Sequence, residues 1–317
     1  MSKLNIVTDF VYGKAIYKLP ISYKKKLSKI CNIFNINQKK LPKKDIDIYW
    51  GTRIKDSDLI KFPNLKWIHF GSVGTDKLSY NLLKNKKVKI TNSKKINSWS
   101  VANLILLFFL DINKRLFFLK RFSNRKNYED IFTKITTDEN EKVLILGYGN
   151  VAKITEKLLK NFTKYIDIYS SRSKHLKKKN LISFKSCKKK LKQYSVVINL
   201  LPNNQNNNEF INFKFLKRLK QNTNLILIGR IETININDLF SFAFKNKNSC
   251  IYLDGSIRPK LNRKFKKLNN VFITPHIGGY YYNYWTDQYK IFSENLKKFI
   301  NRSRLKNLVK ISKLNFK

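Results

Sequence analysis

Cysteine is scarce in this chain: Cys31, Cys187 and Cys250 stand far apart and form no CxxC pair, so neither a disulfide framework nor a structural zinc site is expected. Long apolar runs are missing as well. The longest, LILLFFL at residues 104–110, falls far short of the roughly 20 residues needed to span a bilayer, and it reads as part of a buried helix. The first residues, MSKLNIVTDFVYG, show no basic start, apolar stretch and small-residue cleavage site in sequence. A cytoplasmic protein without a membrane partner is therefore expected. No internal repeat or low-complexity tract interrupts the chain.

Negative charge is the other deficit. Twenty Asp and Glu stand against 66 Lys and Arg, a formal net charge of +46. Such an excess invites a nucleic-acid reading, but only 11 of the 66 basic residues are Arg, the residue whose planar fork reads phosphates and guanine edges. The lysines are scattered through nearly every segment beside abundant Asn and Ile. That distribution fits a solvated surface and biased coding, so no specific nucleic-acid partner is expected.

What is present is a globular composition, 42% hydrophobic and 14% aromatic with 23 Phe and 16 Tyr, in 317 residues. This length suits two domains. Short apolar strands alternate with helical stretches, the pattern of an α/β fold built on parallel sheets. KLNIVTDF, DIDIYWG and LKWIHF read as strands near the start, and residues 97–118 read as one long helix, hydrophobic on most faces. A charged, weakly periodic segment at 120–142 follows, and a second α/β unit opens at KVLILGYGNVAKITEKLLKNF. Further strands are expected in DIYSS, VVINLLP, NLILIG, CIYLDG and VFITPH.

GYGNVA carries the first chemistry. Gly147 and Gly149 follow an apolar strand and open an amphipathic helix. In that setting the first glycine permits a tight turn and the second lets the backbone approach a pyrophosphate, with the helix N-terminus supplying N–H donors and a positive dipole. An NAD-preferring site carries an acidic residue about 20 positions further on. Here the next strand ends in Ser170, Ser171 and Arg172, and hydroxyls with a guanidinium suit a 2′-phosphate, so NADP(H) is favoured over NAD(H).

Carbonyl reduction needs a proton donor near neutral pH, and the chain has three histidines. His69 lies inside a strand-like run, where a satisfied core histidine is the ordinary reading, and His175 lies in a Lys-rich loop. His276 sits in TPHIGG directly after the strand VFI, where Pro275, Gly278 and Gly279 shape a loop. It is the candidate acid/base.

In that order the motifs resemble the D-isomer-specific 2-hydroxyacid dehydrogenases over nearly the whole length: LKWIHFGSVGTD, NSWSVAN, GYGNVA, VVINLLP, LILIGR, LDGSIRP and TPHIGG. SSRS paired with INLLPN is most similar to the NADP-using glyoxylate/hydroxypyruvate reductase branch. The resemblance implies two doubly wound Rossmann-like domains, a substrate domain of residues 1–112 and 285–317 and a dinucleotide domain of 113–284, with the active site in a cleft between them and a homodimeric assembly. It assigns Arg230 to the substrate carboxylate and carbonyl, His276 to proton transfer, and the backbone of Ser72, Val73 and Gly74 to the carboxylate. It places Gly147, Gly149, Asn150, Val151, Ser170, Ser171, Arg172, Leu201, Pro202, Gly229, Asp254 and Gly278 around the cofactor. The implied reaction is reduction of a small 2-oxoacid, such as glyoxylate or hydroxypyruvate, to the D-2-hydroxyacid.

Two positions depart from the family pattern. Where members carry a Glu that hydrogen-bonds the catalytic histidine, this chain has Arg258, and Asn103 stands where a Glu is common. A guanidinium beside His276 would lower rather than raise its pKa. Asp254 or Asp287 could orient His276 instead, the enzyme could work best at low pH, Arg258 could meet an extra anionic group on the substrate, or the chain could be a catalytically silent dinucleotide-binding homologue.

Overall fold

The computed structural model describes residues 3–10, 19–52, 54–72, 88–119, 141–171, 178–255, 257 and 259–309. The chain divides into two compact units, residues 1–96 with 281–317 and residues 97–280.

In the first unit, β1 (Leu4–Thr8), β2 (Cys31–Asn35), β3 (Ile48–Gly51), β4 (Trp67–Phe70) and β5 (Lys89–Asn92) form a parallel sheet of order β2-β1-β3-β4-β5. Side chains alternate between its faces. Val7, Tyr49, Ile68, Phe70 and Ile90 join one apolar cluster, and Ile6, Ile48, Trp50 and Trp67 join the other. The helix Tyr284–Ile300 covers the second face: Phe292 stacks on Trp50 at 4.0 Å and on Trp67 at 5.3 Å between ring centroids. The central strands β3 and β4 are buried on both sides, so they read as continuous apolar runs rather than alternations.

The second unit is a seven-stranded parallel sheet of β6 (Lys142–Leu146), β7 (Tyr165–Tyr169), β8 (Leu181–Ile182), β9 (Val196–Asn199), β10 (Asn224–Leu227), β11 (Ile251–Asp254) and β12 (Val271–Thr274). Its order is β12-β11-β10-β9-β6-β7-β8, so the winding reverses between β6 and β9. Leu144, Leu146, Val197, Leu225 and Leu253 bury one face. Val143, Ile145, Ile168, Val196 and Ile226 bury the other, beneath helices Ser98–Lys114 and Asn150–Leu159. Two doubly wound, Rossmann-like sheets are thus the architecture of the chain.

Four features differ from the sequence expectation. The helix expected over 97–118 stops at Lys114, because Arg115 turns left-handed at φ 56° and its N–H bonds the Asp111 carbonyl. The buried Asp111 carboxylate stabilises the break by accepting from the Phe117 N–H at 2.9 Å and from the Tyr252 hydroxyl. This helix also belongs to the second unit, placing the boundary at 96/97 rather than 112/113. Its residues Ile105, Phe108, Phe109 and Ile112 pack on the second sheet, at about 1.5–3 kcal/mol of apolar burial each. Nor is it buried all round, since Trp99, Leu107 and Leu110 are exposed. Finally, β2, β5 and β8 are strands that the apolar pattern did not single out. β8 is two residues long, and β2 is an edge strand with only Cys31 fully buried.

Candidate active site

The turn after β6 is built as a Gly-specific bend. Gly147 has φ +103°, and a Cβ there would lie 2.9 Å from the Leu200 carbonyl oxygen, so an L side chain is excluded by both conformation and space. Its N–H bonds the Tyr169 carbonyl at the end of β7, and the Leu200 N–H bonds the Leu146 carbonyl, which locks the turn at the point where the sheet reverses. Gly149 is different. Its φ is −96° and a Cβ would meet nothing within 4 Å, leaving open space above the first turn of Asn150–Leu159. No side chain caps that helix. Exposed N–H groups and the helix dipole there suit a pyrophosphate, so the residues present fit a dinucleotide. Asn150 and Val151 open the helix, half-buried.

Leu201 and Pro202 follow β9, the first buried and the second exposed, while Gly229 and Arg230 follow β10. Buried Asn199 ties these loops together. Its Oδ1 accepts from the Leu201 N–H at 3.2 Å and its Nδ2 donates to the Thr233 hydroxyl at 2.8 Å. That hydroxyl donates to the Arg230 carbonyl at 2.6 Å, and the Gly229 N–H bonds the Asn199 carbonyl at 2.7 Å. The Arg230 backbone is therefore fixed by two residues, Asn199 and Thr233, that sequence reasoning missed. An Asn ending a fully apolar strand was the available signal.

His276 follows β12 in the left-handed region at φ 58°, which costs a non-Gly residue about 1 kcal/mol or more. Asp254, buried at the end of β11, holds that loop. Its Oδ1 accepts from the Thr274 hydroxyl (2.6 Å) and the Ile277 N–H (2.8 Å), and its Oδ2 accepts from the Gly278 N–H (2.8 Å). A Cβ on Gly278 would come within 2.8 Å of Oδ2, so the close approach needs glycine. The His276 side chain is exposed. Asp254 thus orients the backbone around His276, whereas the Asp287 carboxylate is engaged by the Tyr281 hydroxyl at 2.6 Å.

Gly147, Leu201, Arg230 and His276 accordingly follow the carboxyl ends of β6, β9, β10 and β12, and Asp254 ends β11, along one edge of one parallel sheet. Ser170, buried, and Ser171, exposed, follow β7 on the same edge. Arg172, His175 and Arg258 lie outside the described residues, as do Val73 and Gly74. Ser72 is half-buried after β4 in the first unit, next to Gly71, whose carbonyl accepts from Gln288. Asn103 is exposed on its helix. His69 is a fully buried core residue, bonded through Nδ1 to the Thr91 hydroxyl (2.7 Å) and through Nε2 to the Ser93 hydroxyl (3.3 Å). Burial drives its pKa down to about 3, so it stays neutral. Among the described residues, no three His, Cys, Asp or Glu are grouped to hold a metal ion, and no helix is long and apolar enough to cross a membrane.

A glycine turn at the reversal point of an all-parallel sheet, with an arginine and a histidine on the same edge, defines a dinucleotide-binding α/β protein. The NAD-binding-domain model of the D-isomer-specific 2-hydroxyacid dehydrogenases matches residues 106–278, and the chain belongs to that family. It is 23% identical to a probable 2-ketogluconate reductase of Dictyostelium discoideum over 71% of this chain and 70% of that protein. It is 26% identical to an erythronate-4-phosphate dehydrogenase of Wigglesworthia glossinidia brevipalpis, over 88% of this chain and 68% of that one. Among solved structures, an NADPH-dependent glyoxylate/hydroxypyruvate reductase from Sinorhizobium meliloti superposes with TM-score 0.78 at 14% identity, covering 100% of this chain and 99% of that one. A D-mandelate dehydrogenase of Rhodotorula graminis gives 0.82 at 14% identity, with 98% of each chain covered.

Proposed function

We propose that the protein reduces a small 2-oxoacid of the glyoxylate or hydroxypyruvate type to its D-2-hydroxyacid, with NADPH preferred over NADH. The observation that carries this reading is the shared edge: Arg230 and His276 follow β10 and β12 on the side of the sheet where Gly147 and Gly149 turn. Gly147, Gly149, Asn150, Val151, Leu201, Pro202, Gly229 and Gly278 would hold the dinucleotide, which when bound supplies the hydride. The Arg230 guanidinium binds the substrate carboxylate and polarises the carbonyl through its fork of donors. His276 gives a proton to the carbonyl oxygen as it gains charge. The backbone N–H groups at Ser72, Val73 and Gly74 grip the carboxylate.

Cofactor preference rests on the end of β7, where Ser170, Ser171 and Arg172 stand in place of a carboxylate. Michaelis constants for the two reduced cofactors test it, and a clear preference for NADH overturns it. Turnover is tested with a panel of 2-oxoacids from mildly acidic to slightly basic pH. His276→Ala is expected to lower kcat by about 10²–10⁴; activity equal to that of the unmodified protein rules out the proposed proton donor.

A second reading, binding of the dinucleotide without turnover, has its own support. Asp254 and Asp287, the carboxylates able to replace the family's Glu, are engaged by loop N–H groups and by Tyr281. Saturable dinucleotide binding with no oxidation of NADPH by any 2-oxoacid would favour it. We assign homodimerisation to the exposed stripe of Trp99, Asn103, Leu107 and Leu110, which follows the helical repeat. Leu107→Glu should then give a monomer in light scattering.

A further inference from the structure

The amino edge of the seven-stranded sheet carries a site of its own. The starts of β6, β7 and β8 and the approach to β9 enclose a cavity of about 650 Å³, within the range that admits a small ligand. Gly147, Arg230 and His276 all follow carboxyl ends of strands, so this cavity opens on the opposite edge from them. Six of its twelve lining residues are lysines: Lys142, Lys160, Lys164, Lys178, Lys179 and Lys190. Basic residues make up 66 of 317 in the chain, so the general lysine bias does not account for that concentration.

Among the described residues, one lining residue is acidic, and it is already neutralised. The Asp167 carboxylate accepts from Lys190 at 3.1 Å and from the Tyr194 hydroxyl at 2.6 Å. Behind the lining, Glu156 is bonded by Lys178 and, at 2.9 Å, by Asn180, with Lys160 at 3.6 Å. Burial alone would raise the Glu156 carboxyl, but these hydrogen bonds and ammonium charges outweigh it and hold it below the usual range. Among the described lining residues, lysines thus outnumber carboxylates six to one. The Lys142 ammonium lies 5.7 Å from the centroid of the Tyr165 ring, which is half exposed and offers a flat apolar face beside the charge.

We infer that this cavity binds a multiply charged phosphate anion, with Lys142, Lys164 and Lys179 as its principal contacts. Ammonium groups serve as point charges for phosphate oxygens, and several converging on one concave site can hold what a single exposed lysine cannot. Two sources share this chemistry, a nucleoside triphosphate and inorganic polyphosphate.

The three principal lysines are exposed, so replacing them leaves the core intact. Calorimetric titration of the full chain with inorganic tripolyphosphate, at about 0.15 M salt to screen diffuse charge, is expected to give one saturable site. The triple variant Lys142→Ala, Lys164→Ala, Lys179→Ala should weaken it by at least about tenfold. A control of equal charge, Lys214→Ala, Lys217→Ala, Lys220→Ala, removes exposed lysines elsewhere on the same unit and should stay within about twofold. Equal weakening in both triples, or no saturable binding, overturns the proposal. ATP binding more tightly than tripolyphosphate, by a margin that Tyr165→Leu removes, assigns a nucleotide; equal binding assigns inorganic polyphosphate. Any ATP bound at the glycine turn is identified by its survival in the lysine triple.

Discussion

Acidification should destabilise the first unit through one residue. His69 is bonded at both nitrogens, and one assignment satisfies every donor. The Trp67 Nε1–H donates to Thr91 (2.8 Å), the Thr91 hydroxyl donates to His69 Nδ1, His69 Nε2–H donates to Ser93, and Ser93 donates to the Gln288 Oε1 (2.7 Å). A second proton on Nδ1 would turn the Thr91 hydroxyl from donor to acceptor and take away the partner of its O–H. Its folded pKa of about 3 lies below the ordinary histidine value of 6.5, so the unfolded state takes the proton first. Stability is therefore fully present above about pH 6.5 and lost as pH falls from there towards 3, at about 1.4 kcal/mol per pH unit. The loss amounts to about 2 kcal/mol at pH 5 and about 3 kcal/mol at pH 4. Urea unfolding of the wild type and of His69→Gln, followed by tryptophan fluorescence between pH 7.5 and 4.5, isolates this contribution, because other titrating groups cancel in the difference. Three of the four tryptophans, Trp50, Trp67 and Trp285, belong to this unit. The variant starts less stable, and its deficit should shrink by about 2 kcal/mol on going to pH 5. A deficit that stays constant over that interval would refute the buried, neutral assignment.

The two glycines of the cofactor turn should behave oppositely. Gly147→Ala forces a side chain onto φ +103° and against the Leu200 carbonyl, and should cost about 1–3 kcal/mol in urea unfolding. Gly149→Val points into open space and should leave stability within about 0.5 kcal/mol, while dinucleotide affinity measured by fluorescence titration falls at least about tenfold; the reverse ranking would contradict the division of labour between them. Asp254→Asn turns an amide donor towards one of the loop N–H groups that the carboxylate accepts, so unfolding should show a loss of about 1–3 kcal/mol and hydrogen exchange at Ile277 and Gly278 should accelerate. Glu156, held below its ordinary pKa, stabilises above about pH 4.5 and ceases to do so as pH falls through its folded value. The deficit of Glu156→Gln in unfolding experiments should accordingly be full at pH 7 and diminish in stronger acid.

How much of this was legible in the sequence depends on whether a residue acts through its own neighbours or through distant ones. GYGNVA was readable because a tight turn, an open approach and a helix start are local events within six residues. The carboxyl-edge positions of Arg230 and His276 followed from strands that end at Leu227 and Thr274, again a local pattern. By contrast, the Asn199–Thr233 bond that fixes Arg230 spans 34 residues, and the Asp254 bonds to Ile277 and Gly278 span 23 and 24. Only the sheet order brings those partners together. The break at Arg115 was hidden for the same reason: its local sequence, rich in Leu, Ile and Phe, continues a helix well, and the stop comes from a buried carboxylate shared with Tyr252 on β11.

The same distinction separates two roles that a carboxylate bonded to His276 would combine. A carboxylate bonded to the imidazole sets both where the ring points and how readily it holds a proton. Asp254 performs the geometric part through the backbone, since its three acceptor contacts are to Thr274, Ile277 and Gly278 on either side of His276. A backbone clamp supplies no charge to the ring nitrogen, and the imidazole is exposed to solvent. Loop geometry can therefore persist without proton transfer, because the first depends on Asp254 and the glycines while the second depends on the groups that face the ring. A chain with an intact loop is a necessary condition for turnover and not a sufficient one, and the pH dependence of oxoacid reduction, rather than the fold, discriminates between a working reductase and a silent homologue.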